Sequence, residues 1–328
     1  MPPPLVTVVV VTWQQRELVL DCLDSVAAQT LACRVLVVDN ASTDGTAEAV
    51  RSRFPEAELV DLPENRGFAG GVDEAVRRVT TRFVALLNND AVADPGWLAA
   101  SLRALEDPTV AAVTSKLLLA GTAGTVNNAG VVLLDTAYGA DRGLGEPDDG
   151  RFDQPVEVFG FSGGAAVLRT LAVRAVGGFA SDWFMYYEDT DLSWRLRLAG
   201  WRIVYEPGAV VRHRHAASSD PASSFFAFHN ERNRLLMLLR DAPLSALLRG
   251  TLRFGLTTGS LAVTRLRGRP VPPDPVFDTR LRVRVLQDAL GRSPATVRRR
   301  WQGPRARRRA EVLREWAGID SRPIDRDG

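Results

Sequence analysis

Four short polar stretches and one pair of histidines carry the residue types that could do chemistry. The first stretch is Val37-Val38-Asp39-Asn40-Ala41-Ser42-Thr43-Asp44-Gly45-Thr46. An acid at a strand end, followed by small residues and a helix start, suits nucleotide recognition. Asp39 can accept hydrogen bonds from a base edge or a ribose hydroxyl, with Asn40 and Ser42 beside it. The local carboxylates repel phosphate, and the G-x-G-x-x-G spacing of a dinucleotide fold is absent. The same residues also suit an Asx-type turn that caps the next helix. The second stretch is Asn65-Arg66-Gly67-Phe68-Ala69-Gly70-Gly71. Its glycines permit close backbone approach to a ligand, and Arg66 can stack on a base or meet a phosphate. A plain Gly-rich turn from strand to helix has the same composition.

The third stretch, Asn88-Asn89-Asp90, follows the apolar run Val84-Ala85-Leu86-Leu87. A carboxylate at the end of a buried strand is rigidly placed, and Asp90 can hold a hard divalent cation. Such a cation would neutralise a departing diphosphate as a Lewis acid. The fourth is Trp183-Phe184-Met185-Tyr186-Tyr187-Glu188-Asp189-Thr190-Asp191. One of its three carboxylates can act as general base for an acceptor hydroxyl, and its aromatics can stack on a sugar face. Acids at a helix start also favour the helix dipole without any catalytic role. The pair is His213 and His215, within Arg212-His213-Arg214-His215. A neutral imidazole there can complete a metal site with Asp90, or simply lie on the surface among arginines.

These residues need a frame, and the first hundred residues supply one. Val6–Thr12 is a β-branched run expected of a strand buried on both faces. Residues 17–28 have helical spacing, 34–38 a second strand, 46–54 a helix capped by Ser42 or Asp44, and 57–62 a short third strand. A helix over 70–79 and a strand over 83–87 follow. This alternation predicts an α/β fold with a parallel sheet and helices on both faces. Ligands bind beyond the carboxyl ends of such strands. Thr12, Asp39-Asn40 and Asn88-Asn89-Asp90 stand at three of those ends, so the polar stretches converge on one crevice.

Further along, residues 122–153 are rich in Gly, Asp and Asn and read as a hairpin and a mobile loop. Strand-like sequence returns over 156–168, interrupted by Ser162-Gly163-Gly164. A helix over 189–199 ends at Gly200, and a strand over 201–205 leads through Val210-Val211 to His213. Beyond about residue 230 the character changes. Residues 233–239 are helical and 270–275 read as a linker. The tail from 280 to 316 is helical and arginine-rich.

Composition narrows the classes. The chain has 328 residues, 45% hydrophobic and 24% charged, with a net charge of +2. That suits one large domain or a domain plus an appendage and implies no strong overall field. Lys116 is the only lysine. Two isolated cysteines, Cys22 and Cys33, make neither a disulfide framework nor a zinc site and read as reduced cytosolic thiols. Met1-Pro2-Pro3-Pro4 leads straight into a strand, so no signal peptide is expected. The apolar segment Leu244–Leu266 is broken by Arg249, Arg253 and Arg265. It reads as an amphipathic helix on a membrane surface or on the main domain, not as a span.

Taken together and in order, these motifs resemble the family 2 glycosyltransferases, in the rhamnosyltransferase and galactofuranosyltransferase-like branch. The resemblance rests on Val8 to Thr12, Val38 to Gly45, Asn65 to Gly71, Leu87-Asn88-Asn89-Asp90, Glu188-Asp189-Thr190-Asp191-Leu192-Ser193-Trp194-Arg195 and His213, and covers about residues 5–240. It implies a GT-A-type, Rossmann-like mixed sheet over residues 1–240, with a helical, arginine-rich extension over 241–328. It implies an inverting single displacement from an NDP-sugar (dTDP-rhamnose first, UDP-linked hexoses next) with Mg²⁺ or Mn²⁺. Thr12, Asp39, Asn40, Ser42, Arg66, Gly67, Asn88 and Asp90 would surround the donor. Asp90 and His213 would hold the metal. Asp189, with Glu188 beside it, matches the catalytic base. Gly163, Gly164, Trp183 and Asp191 would flank the acceptor.

The chain departs from the family pattern in places. The first D-x-D acid is Asn88, and Asp73 stands where Asn often follows the glycines. Arg300-Trp301 lacks the Gln of the processive synthases' Q-x-x-R-W, since position 297 is Val, so a single-addition enzyme is favoured. The expected acceptor is a cell-wall, polysaccharide or polyprenyl-linked glycan. The expected place is the cytoplasm, with the basic tail and the 244–266 segment touching an anionic membrane at its inner face. Arginine without interleaved aromatics does not suit nucleic acid. A sugar nucleotidyltransferase would need a phosphate loop and a lysine near the front. A non-catalytic sugar-nucleotide binder would have no need of both Asp90 and Asp189.

Overall fold

The computed structural model describes residues 3–214, 220 and 222–324; His215 lies outside them. The first half alternates strand and helix: β1 (Val6–Thr12), α1 (Arg16–Ala27), β2 (Arg34–Asp39), α2 (Thr46–Arg53), β3 (Glu58–Asp61), α3 (Gly67–Arg78) and β4 (Phe83–Leu87). Then come β5 (Ala91–Ala93), α4 (Trp97–Ala104), β6 (Val110–Leu119), β7 (Val126–Asn128), β8 (Val131–Leu133), β9 (Gly139–Asp141), β10 (Val156–Glu157), β11 (Ala165–Arg169) and α5 (Thr170–Ala175). The last part holds α6 (Glu188–Leu198), β12 (Arg202–His213), α7 (Ser224–Asp241), α8 (Leu244–Leu266), α9 (Thr279–Arg300), α10 (Arg309–Trp316) and β13 (Arg322–Pro323).

One mixed sheet runs in the order β13-β10-β12-β6-β11-β4-β1-β2-β3, with β5 added to β12 and β7 to β6. β1 pairs parallel with both β2 and β4, and β2 parallel with β3. β11 enters antiparallel between β4 and β6. All seven residues of β1 are buried. Successive side chains go to opposite faces: Val8 and Val10 join a core under α1 and α4, while Val9 and Val11 join the core under α3, α5 and α6. The parallel register aligns Thr12 with Asp39 and Asp39 with Asp61. The polar strand ends therefore share one edge, as the sequence predicts.

Several boundaries differ from the sequence reading. Helix α3 begins at Gly67, because its glycines serve close packing and do not break the helix: a Cβ on Gly71 would stand only 2.6 Å from Val11 Cγ1. Helix α7 is longer than 233–239, its start fixed by Ser223, whose Oγ accepts the Phe226 N–H. The strand expected over 156–168 is two short strands around an irregular turn.

The extension shares a core with the first 240 residues. Leu281, Val285, Val312 and Trp316 pack with Val131, Phe159, Trp183 and Trp194, and β13 pairs with β10. Tail arginines expected to face a membrane or solvent are used in this docking. Arg300 donates to the carbonyls of Leu239 and Ala242, and Arg309 to those of Arg240 and Arg300. Arg282 donates to Phe254 O and Thr258 Oγ1, and Arg299 to Asp182.

Candidate active site

A cleft of about 570 Å³ opens over the carboxyl ends of β1, β2 and β4. Its walls include Thr12, Trp13, Asn40, Gly67, Asn88, Gly163, Gly164, Phe184, Glu188 and Asp189. Asn40 fixes the turn into α3, accepting from the Arg66 N–H and donating to Gly67 O, both at 3.2 Å. Gly67 sits at φ +68, and a Cβ there would overlap the Phe184 carbonyl. The Ala69 N–H donates to that same carbonyl at 2.9 Å. Thus the start of α3 and the aromatic loop before α6 are bonded into one wall.

That loop is held in an uncommon conformation. Phe184, Tyr186 and Tyr187 all have positive φ, at 71, 70 and 67°, a region non-glycine residues seldom adopt. Asn233 of α7 stabilises it. Its Nδ2 lies 3.2, 2.8 and 2.8 Å from the carbonyls of Trp183, Met185 and Tyr186. Arg232 adds a bond to the Trp183 carbonyl. The loop delivers Glu188 and Asp189 as the first two residues of α6.

The two carboxyls sit in different electrostatic settings. Asp189 Oδ2 accepts the Gly163 N–H at 2.9 Å, and Oδ1 accepts the Thr190 N–H and hydroxyl at 2.6 and 3.0 Å. Burial raises its pKa, while these donors oppose the rise by stabilising the anion. Glu188 is 6% exposed, and its Oε2 has no hydrogen-bond partner among the described residues. Burial, and then the Asp189 charge, push its carboxyl well above the usual range. Of the two, Asp189 is equipped to be the anion that accepts a proton. A third carboxyl, Asp141 on β9, accepts from Asn128 Nδ2 at 2.6 Å. Desolvation and the Asp189 charge push it up to about 6.

The strand pairing also assembles a nitrogen–oxygen pair. Antiparallel β12 and β5 set His213 opposite Ala91, which brings His213 Nε2 to 3.0 Å from Asp90 Oδ1. Asn88 Nδ2 is 3.2 Å from the same nitrogen. The other ring nitrogen meets Asn127 Oδ1 at 2.7 Å. With that oxygen assigned as acceptor, Nδ1 carries the proton and Nε2 presents its lone pair to Asp90. Asn88 Nδ2 can donate to that lone pair, and a cation bound here would take both it and the Asp90 carboxylate as ligands. The donor set fits Mg²⁺ or Mn²⁺, which take few protein ligands beside phosphate oxygens. No group of three or more His, Cys, Asp or Glu gathers among the described residues.

Other expected residues lie elsewhere. Asp39 is 2% exposed and accepts the Ser42 N–H and hydroxyl. It and Ser42 form the alternative Asx-type turn, while neighbouring Asn40 lines the cleft. The Arg66 guanidinium lies 3.6 Å from Glu74, off the cleft lining. Trp183 and Asp191 do not line the cleft. Trp183 is 1% exposed in the core shared with the extension. Asp191 is wholly buried and paired with Arg195 and Arg240. Burial opposes its ionisation, but the two guanidiniums prevail and hold its pKa low.

Sequence reasoning missed Trp13, 49% exposed on the cleft wall. It also missed Asn127, Asn128, Asp141 and Asn233. The Asn127-Asn128 doublet was the one available signal, a polar pair in an otherwise turn-like stretch.

With this geometry in place, known proteins are informative. The family described as "Glycosyltransferase like family 2" matches residues 2–237. The chain is 31% identical over 255 residues to the N-acetylglucosaminyl-diphospho-decaprenol L-rhamnosyltransferase of Mycobacterium tuberculosis, covering 70% of this chain and 83% of that protein. It is 34% identical over 188 residues to the pre-mycofactocin glycosyltransferase of the same organism, covering 56% of this chain but only 37% of that one. Two solved structures share the fold. A mannosyltransferase from Pyrobaculum calidifontis, solved with GDP-Man and Mn²⁺, has TM-score 0.52 and 20% identity, over 95% of this chain and 74% of that one. GalNAc-T7, solved with UDP, GalNAc and Mn²⁺, has TM-score 0.62 and 10% identity, over 94% and 56%.

Proposed function

The chain belongs to the family 2 glycosyltransferases and has a GT-A-type sheet, and from that premise we propose that it transfers rhamnose, with inversion, from dTDP-rhamnose to a hydroxyl of a lipid-linked glycan. The observation that carries the reading is a single cleft lined by both Asp189 and Asn88, with the Asp90 and His213 pair against Asn88. A metal-assisted transfer from a diphospho-linked sugar uses cation-binding groups and a base at one place, and a purely structural cleft needs neither.

Asp189 takes the proton of the acceptor hydroxyl as the oxygen bonds to the anomeric carbon. The bond from that carbon to the diphosphate oxygen breaks, and the nucleoside diphosphate leaves with the electron pair. A base of this kind contributes about 10²–10⁴-fold. Burial disfavours the anion of Glu188, which lacks the donors that Gly163 and Thr190 give Asp189. Asp90 and His213 would hold Mg²⁺ or Mn²⁺, which when bound would neutralise charge on the departing diphosphate. Trp13 offers an exposed face for the base, and Gly163 and Gly164 leave room beside Asp189 for the acceptor. The rhamnosyltransferase relative is named for a decaprenyl-diphosphate-linked sugar, which supports a polyprenyl-linked acceptor and work at the cytoplasmic face of a membrane.

Thermal stabilisation by a panel of nucleoside diphosphates and NDP-sugars, with and without Mn²⁺, tests the donor site. A binder at 100 times its Kd adds about 2.7 kcal/mol. A Mn²⁺-dependent shift specific to one base is expected. No shift with any donor would refute the donor site.

A further inference from the structure

Helix α8 covers little core. Of its 23 residues only Ala246, Phe254 and Thr258 are buried. Its outer face instead carries Leu244, Leu248, Leu252 and Leu256, at 62, 58, 63 and 66% exposure. Spaced four residues apart, these form one ridge along the helix. Val263 and Leu266, at 44 and 87% exposure, continue it, so the ridge follows a helix about 34 Å long. A row of six exposed large apolar residues is more than the scattered apolar surface of a monomer.

The charge carried by this segment has one sign. From 242 to 273 the sequence contains arginines at 249, 253, 265, 267 and 269 and no Asp or Glu. Arg249 and Arg253 follow Leu248 and Leu252 directly, so they flank the ridge. Both also border a cavity of about 450 Å³ whose lining includes Tyr138, Arg234, Glu231 and Asp135. Arg234 is neutralised by Glu231 at 2.7 Å, but Arg249 and Arg253 make no hydrogen bond or ion pair among the described residues. The tail arginines that dock the extension are engaged, whereas these two are available. No helix among the described residues is long and apolar enough to cross a membrane.

We infer that α8 is a membrane-docking helix. Its leucine ridge enters the interface of an anionic bilayer, and Arg249 and Arg253 meet the headgroup phosphates. An apolar ridge flanked by cations is the pattern of a helix lying in the plane of the membrane. Each basic residue near an anionic surface adds attraction that salt screens. A second copy of the chain would bring a ridge flanked by like charge, so the lipid surface is the better complement. The inference does not depend on which sugar is transferred, and its test leaves the donor site untouched.

Flotation with vesicles of phosphatidylcholine alone, or with added phosphatidylglycerol, tests it. The proteins compared are the full chain, the double variant L248E/L252E and the double variant R249E/R253E. All four positions lie away from the cleft, and the two leucines are largely solvent-exposed. L248S/L252S is the milder substitute if the glutamates impair folding, as judged by melting temperature and Mn²⁺-dependent nucleotide binding. The wild type is expected to float with anionic vesicles at low salt, and at least tenfold less with neutral ones. Both double variants should lose at least tenfold while keeping nucleotide binding. Three results would overturn the inference: no flotation at low salt, leucine variants that float like wild type, or a wild-type dimer in solution that the leucine variants convert to monomer.

Discussion

The backbone N–H of Gly163 and the carboxylate of Asp189 meet at 2.9 Å, joining the turn before β11 to the start of α6. The bond orients one oxygen, and Thr190 holds the other. In Asp189→Asn one of these donors would face an NH₂ group, and the amide cannot accept the acceptor's proton. Turnover is expected to fall by about 10²–10⁴-fold, with nucleoside diphosphate affinity close to wild type. Steady-state rates beside calorimetric binding would check the split, and turnover near wild type would remove Asp189 from the base role.

The pairing of Asp90 with His213 predicts the complementary phenotype. EDTA, Asp90→Asn and His213→Ala should each weaken donor binding measured with Mn²⁺ by at least about tenfold, or 1.4 kcal/mol. Binding measured without metal should change much less. Equal donor affinity with and without Mn²⁺ would contradict this assignment.

Glu188 predicts a pH effect on stability. Its folded pKa lies above the unfolded value of about 4.3. Once pH passes the unfolded value, the folded state still holds a proton that the unfolded state has lost, so stability falls as pH rises toward the folded value. Glu188→Gln removes that proton difference. Denaturant unfolding between about pH 5 and pH 8, without divalent cations, should show a shallower decline for the variant than for wild type. Parallel curves would mean that the carboxyl ionises normally.

Two residues outside the chemistry hold its frame. Gly67→Ala puts a Cβ into the Phe184 carbonyl at a positive φ and should cost about 2–4 kcal/mol of stability. Asn233→Ala leaves the Met185 and Tyr186 carbonyls without their donor, while Arg232 still serves that of Trp183; about 2–4 kcal/mol is expected, since each orphaned buried acceptor costs about 1–3. Because that loop aims Asp189, the Asn233 variant should lose more in kcat than it gains in donor KM. Wild-type kcat at a temperature where it remains folded would contradict the positioning role.

How legible all this was in the sequence depended on the range of the interaction. β1 was plain because a strand buried on both faces in a parallel sheet is written as an unbroken β-branched run. The strand-end residues Thr12, Asn40 and Asn88 followed from the alternation alone. Asp191 was misread, although helix geometry speaks against it. Residues two apart on a helix point about 200° apart, so a cleft-facing Asp189 turns Asp191 inward to Arg195 and Arg240. Asn127 was out of reach, because its contact with His213 needs β7 to pair with β6 and β6 with β12. The arginine-rich tail looked like a surface for the same reason: nothing local says that Arg300 reaches back to Leu239 and Ala242.

The most direct test is product formation. The wild type and Asp189→Asn would be incubated with dTDP-rhamnose, Mn²⁺ and a polyprenyl-diphospho-N-acetylglucosamine. Mass spectrometry would follow the acceptor, and NMR the anomeric configuration. The wild type should add one deoxyhexose with inverted configuration and release dTDP, and the variant should add almost none. A retained configuration, or equal product from both proteins, would contradict direct displacement assisted by Asp189.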